Sequence, residues 1–297
     1  MCVCAVLAGV AGCSGTADKR PTVVVTTNIL GDITRQIVGD EADVTVLMKP
    51  NADPHSFGIS AAEAAQIERA DLVVYNGLGL EENVLRHVTA AGESGVATLA
   101  VGEAVDPLTY RSDESAGHPD PHFWTDPYRV RKAVRVIGEK VAAEVGGIDK
   151  KALASRTRAY EEKVRRLAEQ MKKRFDGIPR ERRKLVTNHH VFGYLAQRYG
   201  FDVVGAVIPS GTTLASPSAA DMKNLATTIE KAGVKAIFVD SSQPDRLARV
   251  LERESHVDVA VIPLFSESLT ENGKGAATYL EMMQSNSEAI ERGLTKR

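Results

Sequence analysis

Seven histidines, and a body that has no cysteine, define the chemistry open to this chain. All three cysteines (Cys2, Cys4 and Cys13) fall within the first 13 of 297 residues. The remainder therefore has no disulfide, thiolate-bound zinc, iron–sulfur cluster or thiol nucleophile, and any metal chemistry must use imidazole and carboxylate donors. His55 lies in the turn-rich stretch Asn51-Ala52-Asp53-Pro54-His55-Ser56-Phe57. His122 lies in Asp120-Pro121-His122-Phe123-Trp124-Thr125-Asp126-Pro127, beside the only tryptophan, and His189-His190 closely follow the apolar run Lys184–Thr187. The tripeptide Asp-Pro-His occurs twice, and in each copy proline's locked φ fixes the backbone just ahead of an imidazole. That preorganises a metal donor. His87, in the helical run Asn83–Ala91, and His256, in the charged stretch Glu252–Asp258, read as solvated residues.

The elements that must position these side chains alternate in type. Short β-branched runs at Thr22–Thr27, Val44–Met48, Leu72–Tyr75 and Ala97–Val101 read as strands, as do Lys184–Thr187, Val203–Ile208, Ala236–Val239 and Val259–Pro263. Strands alternating with helical patterns predict an α/β fold with parallel sheets, and two sets of four predict two similar small lobes. Between the sets runs the strongest helical pattern. Asp149 is a plausible N-cap, Gly177-Ile178-Pro179 a stop, and Tyr160, Val164, Leu167, Met171 and Phe175 form one apolar stripe. Such a helix is about 40 Å long, more than one lobe needs, and predicts a rigid spine joining both. The expected division is leader and tether over 1–20, an N-terminal lobe over 21–148, the linking helix over 149–178 and a C-terminal lobe over 179–297. His55 and His189 then sit after the carboxyl ends of strands in opposite lobes, where parallel α/β sheets bind ligands.

Composition narrows the function classes. A formal charge of −2, with 43% hydrophobic and 26% charged residues, excludes a disordered chain, a collagen-like repeat, a polytopic membrane protein and the basic footprint of a nucleic-acid binder. Residues 1–12 are apolar and uncharged, too short to span a bilayer but suited to a signal-peptide core, although no Lys or Arg opens them. Val10-Ala11-Gly12-Cys13 resembles a bacterial lipobox, which predicts lipidation of Cys13 and a Ser14–Asp18 tether. The body is then expected outside the cytoplasmic membrane, anchored to that membrane's outer face.

Pro50–Phe57, Ala70-Asp71-Leu72-Val73-Val74-Tyr75-Asn76-Gly77-Leu78, Asp120–Pro127, His189-His190-Val191-Phe192-Gly193-Tyr194 and Phe265-Ser266-Glu267-Ser268-Leu269 occur in this order. Together they resemble the cluster A-I substrate-binding proteins of bacterial zinc and manganese ABC transporters, over about residues 22–295. The resemblance implies two α/β lobes joined by one helix, with the metal in the interlobe cleft. It also implies four ligands: His55, His122, His189 and, where the family usually has Asp, Glu267. The His-rich loop of many zinc-importing relatives is reduced to His118, and His190 stands where relatives often have Asp, its side chain expected to point away from the metal.

Three imidazoles and a carboxylate suit Zn²⁺ tetrahedrally, and by the Irving–Williams order bind it more tightly than Mn²⁺. Zn²⁺ is therefore expected as transported ligand, with Mn²⁺ as the alternative. Ligands drawn from both lobes would make the metal a clamp. The implied partners are an ABC permease with its ATPase, and the protein is expected as a monomer with no enzymatic activity. An adhesin and a zinc hydrolase are the competing readings, the hydrolase opposed by the lack of a His-Glu-x-x-His helix. Asp126 and Asp240 are candidate acceptors for the ligands' second ring nitrogens. The Ser/Thr/Pro-rich stretch Pro209–Asp221 is either a cleft-side loop or a plain connector.

Overall fold

Val23, Val24 and Val25 have no exposed surface, because their strand is buried on both faces. Continuous apolar runs of this kind are the mark of a central parallel strand. The computed structural model describes residues 20–111 and 115–295; Cys13 and its lipobox lie outside them. In the N-terminal half, β1 (Thr22–Val25), β2 (Asp43–Val46), β3 (Leu72–Tyr75) and β4 (Ala97–Ala100) form a parallel sheet in the order β2-β1-β3-β4. In the C-terminal half, β5 (Lys184–Thr187), β6 (Asp202–Ala206), β7 (Ala236–Asp240) and β8 (Ala260–Leu264) repeat that topology as β6-β5-β7-β8. All eight sequence-derived strands are present, two of them to the residue and the others with ends shifted by one or two residues. The first is shorter than Thr22–Thr27 because its last two side chains leave the sheet. Thr26 Oγ1 donates to Glu81 at 2.6 Å, and Thr27 caps the following helix.

The crossovers are α1 (Asn28–Val38), α2 (Ala61–Glu68) and α3 (Glu82–Glu93) in the first half, and α6 (Gly193–Tyr199), α7 (Ala219–Ala232) and α8 (Arg246–Glu254) in the second. Helices α4 (Pro127–Glu144), α5 (Lys150–Asp176) and α9 (Tyr279–Thr295) complete the chain. Ser60–Glu63 and Ser218–Asp221 form capping boxes that start α2 and α7, satisfying amide groups that have no partner within the helix.

Helix α5 begins where Asp149 accepts from the amides of Lys151 and Ala152, at 2.8 and 3.1 Å, and stops at Gly177. Its buried stripe of Leu153, Tyr160, Val164, Leu167, Met171 and Phe175 enters a core continuous from Val23 and Ile33 to Phe238, Leu264 and Met282. The helix packs on α1 and α4 of one half and on α9 of the other, so it serves both lobes and is not an ordinary surface helix. Separate apolar layers under α2–α3 and under α7–α8 close the outer faces of the two sheets.

Candidate metal centre

The two Asp-Pro-His tripeptides fold identically at their first step. Asp53 Oδ1 accepts the His55 amide at 2.9 Å, and Asp120 Oδ1 accepts the His122 amide at 2.9 Å. Each is an Asx-type turn closed over a proline of fixed φ, which presents the imidazole from a rigid backbone. His189 leaves β5 in a tight turn, where its carbonyl accepts from Thr187 Oγ1 at 2.7 Å and from the Val191 amide at 2.9 Å. Glu267 follows β8 on a segment clamped from the other half of the molecule. Trp124 Nε1 donates to the Ser266 carbonyl at 2.8 Å, and the Asn28 amide brackets the next two residues, donating to Ser268 Oγ at 2.8 Å and accepting from the Leu269 amide at 2.9 Å.

These four segments bring His55, His122, His189 and Glu267 to one point, with one donor atom from each lying within 4.8 Å of all the others. His122 Nε2 stands 3.3 Å from both His55 Nε2 and His189 Nε2. Glu267 Oε2 is 3.3 Å from His55 Nε2, and its Oε1 is 3.5 Å from His122 Nε2 and 3.6 Å from His189 Nε2. None of the four residues is more than 2% exposed. A regular tetrahedron with centre-to-vertex distances of about 2.0–2.1 Å has edges of about 3.3–3.4 Å, so the spacing fits a small tetrahedral cation. The electrostatics point the same way. Neither Glu267 oxygen has a hydrogen-bond partner of its own, and a buried carboxylate without donors facing converging nitrogen lone pairs is costly unless a proton or cation sits among them.

Burial holds the His122 and His189 imidazoles well below their ordinary pKa, and the neighbouring imidazoles lower them further. Burial also opposes charge on His55, but the Glu267 carboxylate 3.3 Å from its Nε2 outweighs it and leaves His55 raised. Glu267 is pushed up to about 7 by burial, against the opposing pull of His55. His55 and Glu267 thus behave as a pair that retains a proton near neutrality.

The acceptor behind His122 is Asp120. Its Oδ1 lies 2.8 Å from Nδ1, and Tyr110 Oη lies 3.0 Å from the same nitrogen. A carboxylate there places the ring proton on Nδ1 and turns the Nε2 lone pair into the site. The two acceptors considered from sequence are engaged elsewhere. Asp126 caps α4 and pairs with Arg129 and Arg198, while Asp240 accepts from Ser242 and Ser266. The repeated Asp-Pro-His motif contains the signal for Asp120. Tyr110 has none; the strand-like bridge between Thr109 and Pro119 and the packing of its ring on Gly211 put it there. Replacing Asp120 with alanine is expected to weaken metal binding about 10–100-fold, measured by competition with a chelator.

The other histidines stand apart. His118 and His256 are exposed, and His87 is half-buried on α3 beside Arg86. His190 is not one of the four; its amide donates to the Ser210 carbonyl and its ring stands 6.4 Å from that of Tyr110. The 209–221 stretch lies on the cleft side: Thr213 Oγ1 donates to Asp53 at 2.6 Å, and the Gly211 amide donates to Ser115 Oγ at 2.7 Å.

The family described as ZnuA, zinc-uptake complex component A, periplasmic, matches residues 23–293. The chain belongs to this family. The matched region begins in β1 and ends in α9, so every element that positions the four donors lies inside the ZnuA-family match. A zinc-binding protein TroA from Treponema pallidum is 30% identical, over 94% of this chain and 91% of its own length. The solved structure of that periplasmic zinc-binding protein superposes with a TM-score of 0.85, covering 94% of this chain and 100% of the other at 29% identity. A manganese ABC transporter substrate-binding lipoprotein PsaA from Streptococcus anginosus is 29% identical, over 98% of this chain and 96% of its own. A Mn-bound periplasmic metal-binding protein from Candidatus Liberibacter asiaticus superposes with a TM-score of 0.81 at 26% identity, covering 92% of this chain and 99% of the other.

Proposed function

We propose that this chain is the extracytoplasmic metal-capture component of an ABC importer. His55, His122, His189 and Glu267 bind one divalent transition metal and deliver it to a membrane permease driven by its ATPase. Zn²⁺ is the favoured cargo and Mn²⁺ the alternative. The carrying observation is that five donor separations are 3.3–3.6 Å and all four donors lie within 4.8 Å of one another, which suits short bonds to a four-coordinate ion. Three nitrogens and one carboxylate also rank Zn²⁺ above Mn²⁺ by the Irving–Williams order. Four protein donors fill a tetrahedral shell and leave no vertex for an attacking water, which separates this site from a hydrolytic zinc centre. Lipidation at Cys13 would hold the protein at the outer face of the cytoplasmic membrane, beside its permease.

Donors come from both halves, so the ion acts as a clamp, and binding stabilises the closed arrangement by mass action. Elemental analysis of freshly isolated protein, followed by zinc-against-manganese competition, tests the assignment. A single equivalent of zinc that excess manganese fails to displace is expected. Metal-free protein with no measurable affinity for either ion would sink it.

A pH dependence follows from the His55–Glu267 pair. His122 and His189 are held neutral and have no proton to lose. The pair is raised in the metal-free protein and must empty for the metal, so binding releases a proton. Affinity therefore rises with pH by about tenfold per pH unit while the pair still holds its proton, Glu267 being pushed up to about 7. Calorimetry in buffers of differing ionisation enthalpy should report about one proton released per metal slightly below neutrality. No release there would contradict the assigned protonation.

A further inference from the structure

The chain is nearly neutral overall, but its charge is strongly segregated. Residues 127–184 hold 19 of the 37 Lys and Arg and only 8 of the 39 Asp and Glu, a net of +11 that leaves −13 on all the rest. This segment is α4, α5 and the turn leading into β5. On α5 the acidic side chains are already engaged: Glu161 with Arg135, Glu162 with Arg165 and Arg166, Glu169 with Arg165, and Asp176 with Lys172. Lys151, Arg158, Lys163 and Lys173 are exposed and have no carboxylate at ion-pair distance among the described residues. A helix with its own anions paired and five cations left over, Lys150 among them, is built to meet negative charge from outside.

The chain's N-terminal tether arrives near the start of α5. Arg20 touches the 39–43 turn, bonding to the Asp40 carbonyl and to Asp43. The same turn meets the start of α5, where Glu41 accepts the Asp149 amide at 2.6 Å and pairs with Arg156. From Cys13 to Arg20 the chain reaches at most about 25 Å, so a lipid on Cys13 keeps the start of α5 near the bilayer. None of the four metal donors lies on α5 or on the helices packed against it, α1, α4 and α9, so docking this face leaves the metal centre free.

We propose that the exposed face of α5 docks on anionic phospholipid headgroups and sets the orientation of the protein on its membrane. The inference rests on the membrane-anchored reading above, but not on which metal is carried. The rest of the chain carries a net −13, part of it on buried acids, so poses that turn those parts to an anionic membrane are disfavoured.

The test uses the full chain carrying Cys13→Ser, which removes the lipid and leaves the face intact. It is sedimented with vesicles of phosphatidylcholine alone or of equimolar phosphatidylcholine and phosphatidylglycerol. Binding is expected only to the anionic vesicles and is lost at high salt. The variant K151Q/R158Q/K163Q/K173Q should bind more weakly by about fivefold per cation removed, on the order of 100-fold or more together. The matched variant K223Q/K231Q/R246Q/R253Q, which removes four exposed cations from α7, α8 and their flanks, should bind at least as well as the parent.

Equal binding to both vesicle types, undiminished binding of the α5 variant, or an equal loss in the matched variant would each overturn the proposal. So would preferential capture by soluble polyglutamate, which would assign the face to an acidic polymer. Zinc titration of the same samples separates the two readings: normal zinc affinity without vesicle binding removes this inference alone, and vesicle binding without zinc affinity removes only the metal assignment.

Discussion

Replacing His189 with alanine should lower zinc affinity about 100- to 1,000-fold. Apparent zinc-binding energies of about 10–16 kcal/mol at fully protein-ligated sites, spread over four donors, put about 3–4 kcal/mol on each. His189 is fully buried, and its Nε2 stands 3.3 Å from that of His122. Truncation therefore removes one vertex and opens a space that water would have to fill with poorer geometry. The fold should persist, because the turn that carries His189 is held through its backbone carbonyl by Thr187 and Val191. Chelator competition reads the loss, and the same measurement on His87→Ala and His256→Ala should show none, since both lie outside the cluster. An unchanged zinc affinity in the His189 variant would remove that residue from the site.

Phe175→Ala should cost about 3–5 kcal/mol of stability, the range for deleting a buried aromatic from a packed core. Phe175 is fully buried near the end of α5, with its ring edge-on to both Tyr199 and Phe201 at centroid distances of 5.0 Å. It fastens the spine to the second lobe, where Arg174 adds ion pairs to Glu288 and Glu291 of α9. A loss of that size should lower the melting temperature by roughly 10 °C for a chain of this length. Zinc affinity, measured well below the transition, should change little because no donor lies on α5. An unaltered melting temperature would mean that the second lobe does not depend on the spine. A parallel collapse of zinc affinity would mean that the lobes are positioned through α5 alone, against the clamp of Asn28 and Trp124 on the Glu267 segment.

The architecture was largely legible before any coordinates. Parallel strands buried on both faces must be apolar throughout, so Leu72–Tyr75 and Lys184–Thr187 were readable to the residue. The α5 stripe was readable because a long helix packed along one side shows its period over many turns. Strand ends were less certain wherever a β-former had another task, as Thr26 and Thr27 do. Three of the clustered histidines were marked by their turns. Glu267 had no local signal, and only the likeness to the family's serine-flanked acid pointed to it.

Alternation, capping and periodicity are local properties, and the amino-acid sequence by itself determined what depends on them: two parallel α/β lobes, a spine between them, and imidazoles rather than thiolates as the donors available to a metal. The tertiary structure alone decided the company those donors keep. It put Tyr110 behind His122, turned both Glu267 oxygens inward and carried the 209–221 loop across to Asp53. The ligand pair His55 and Glu267 lies 212 positions apart in the chain. Such contacts arise from how two finished lobes fit against a common core, and no run of neighbouring residues encodes that fit.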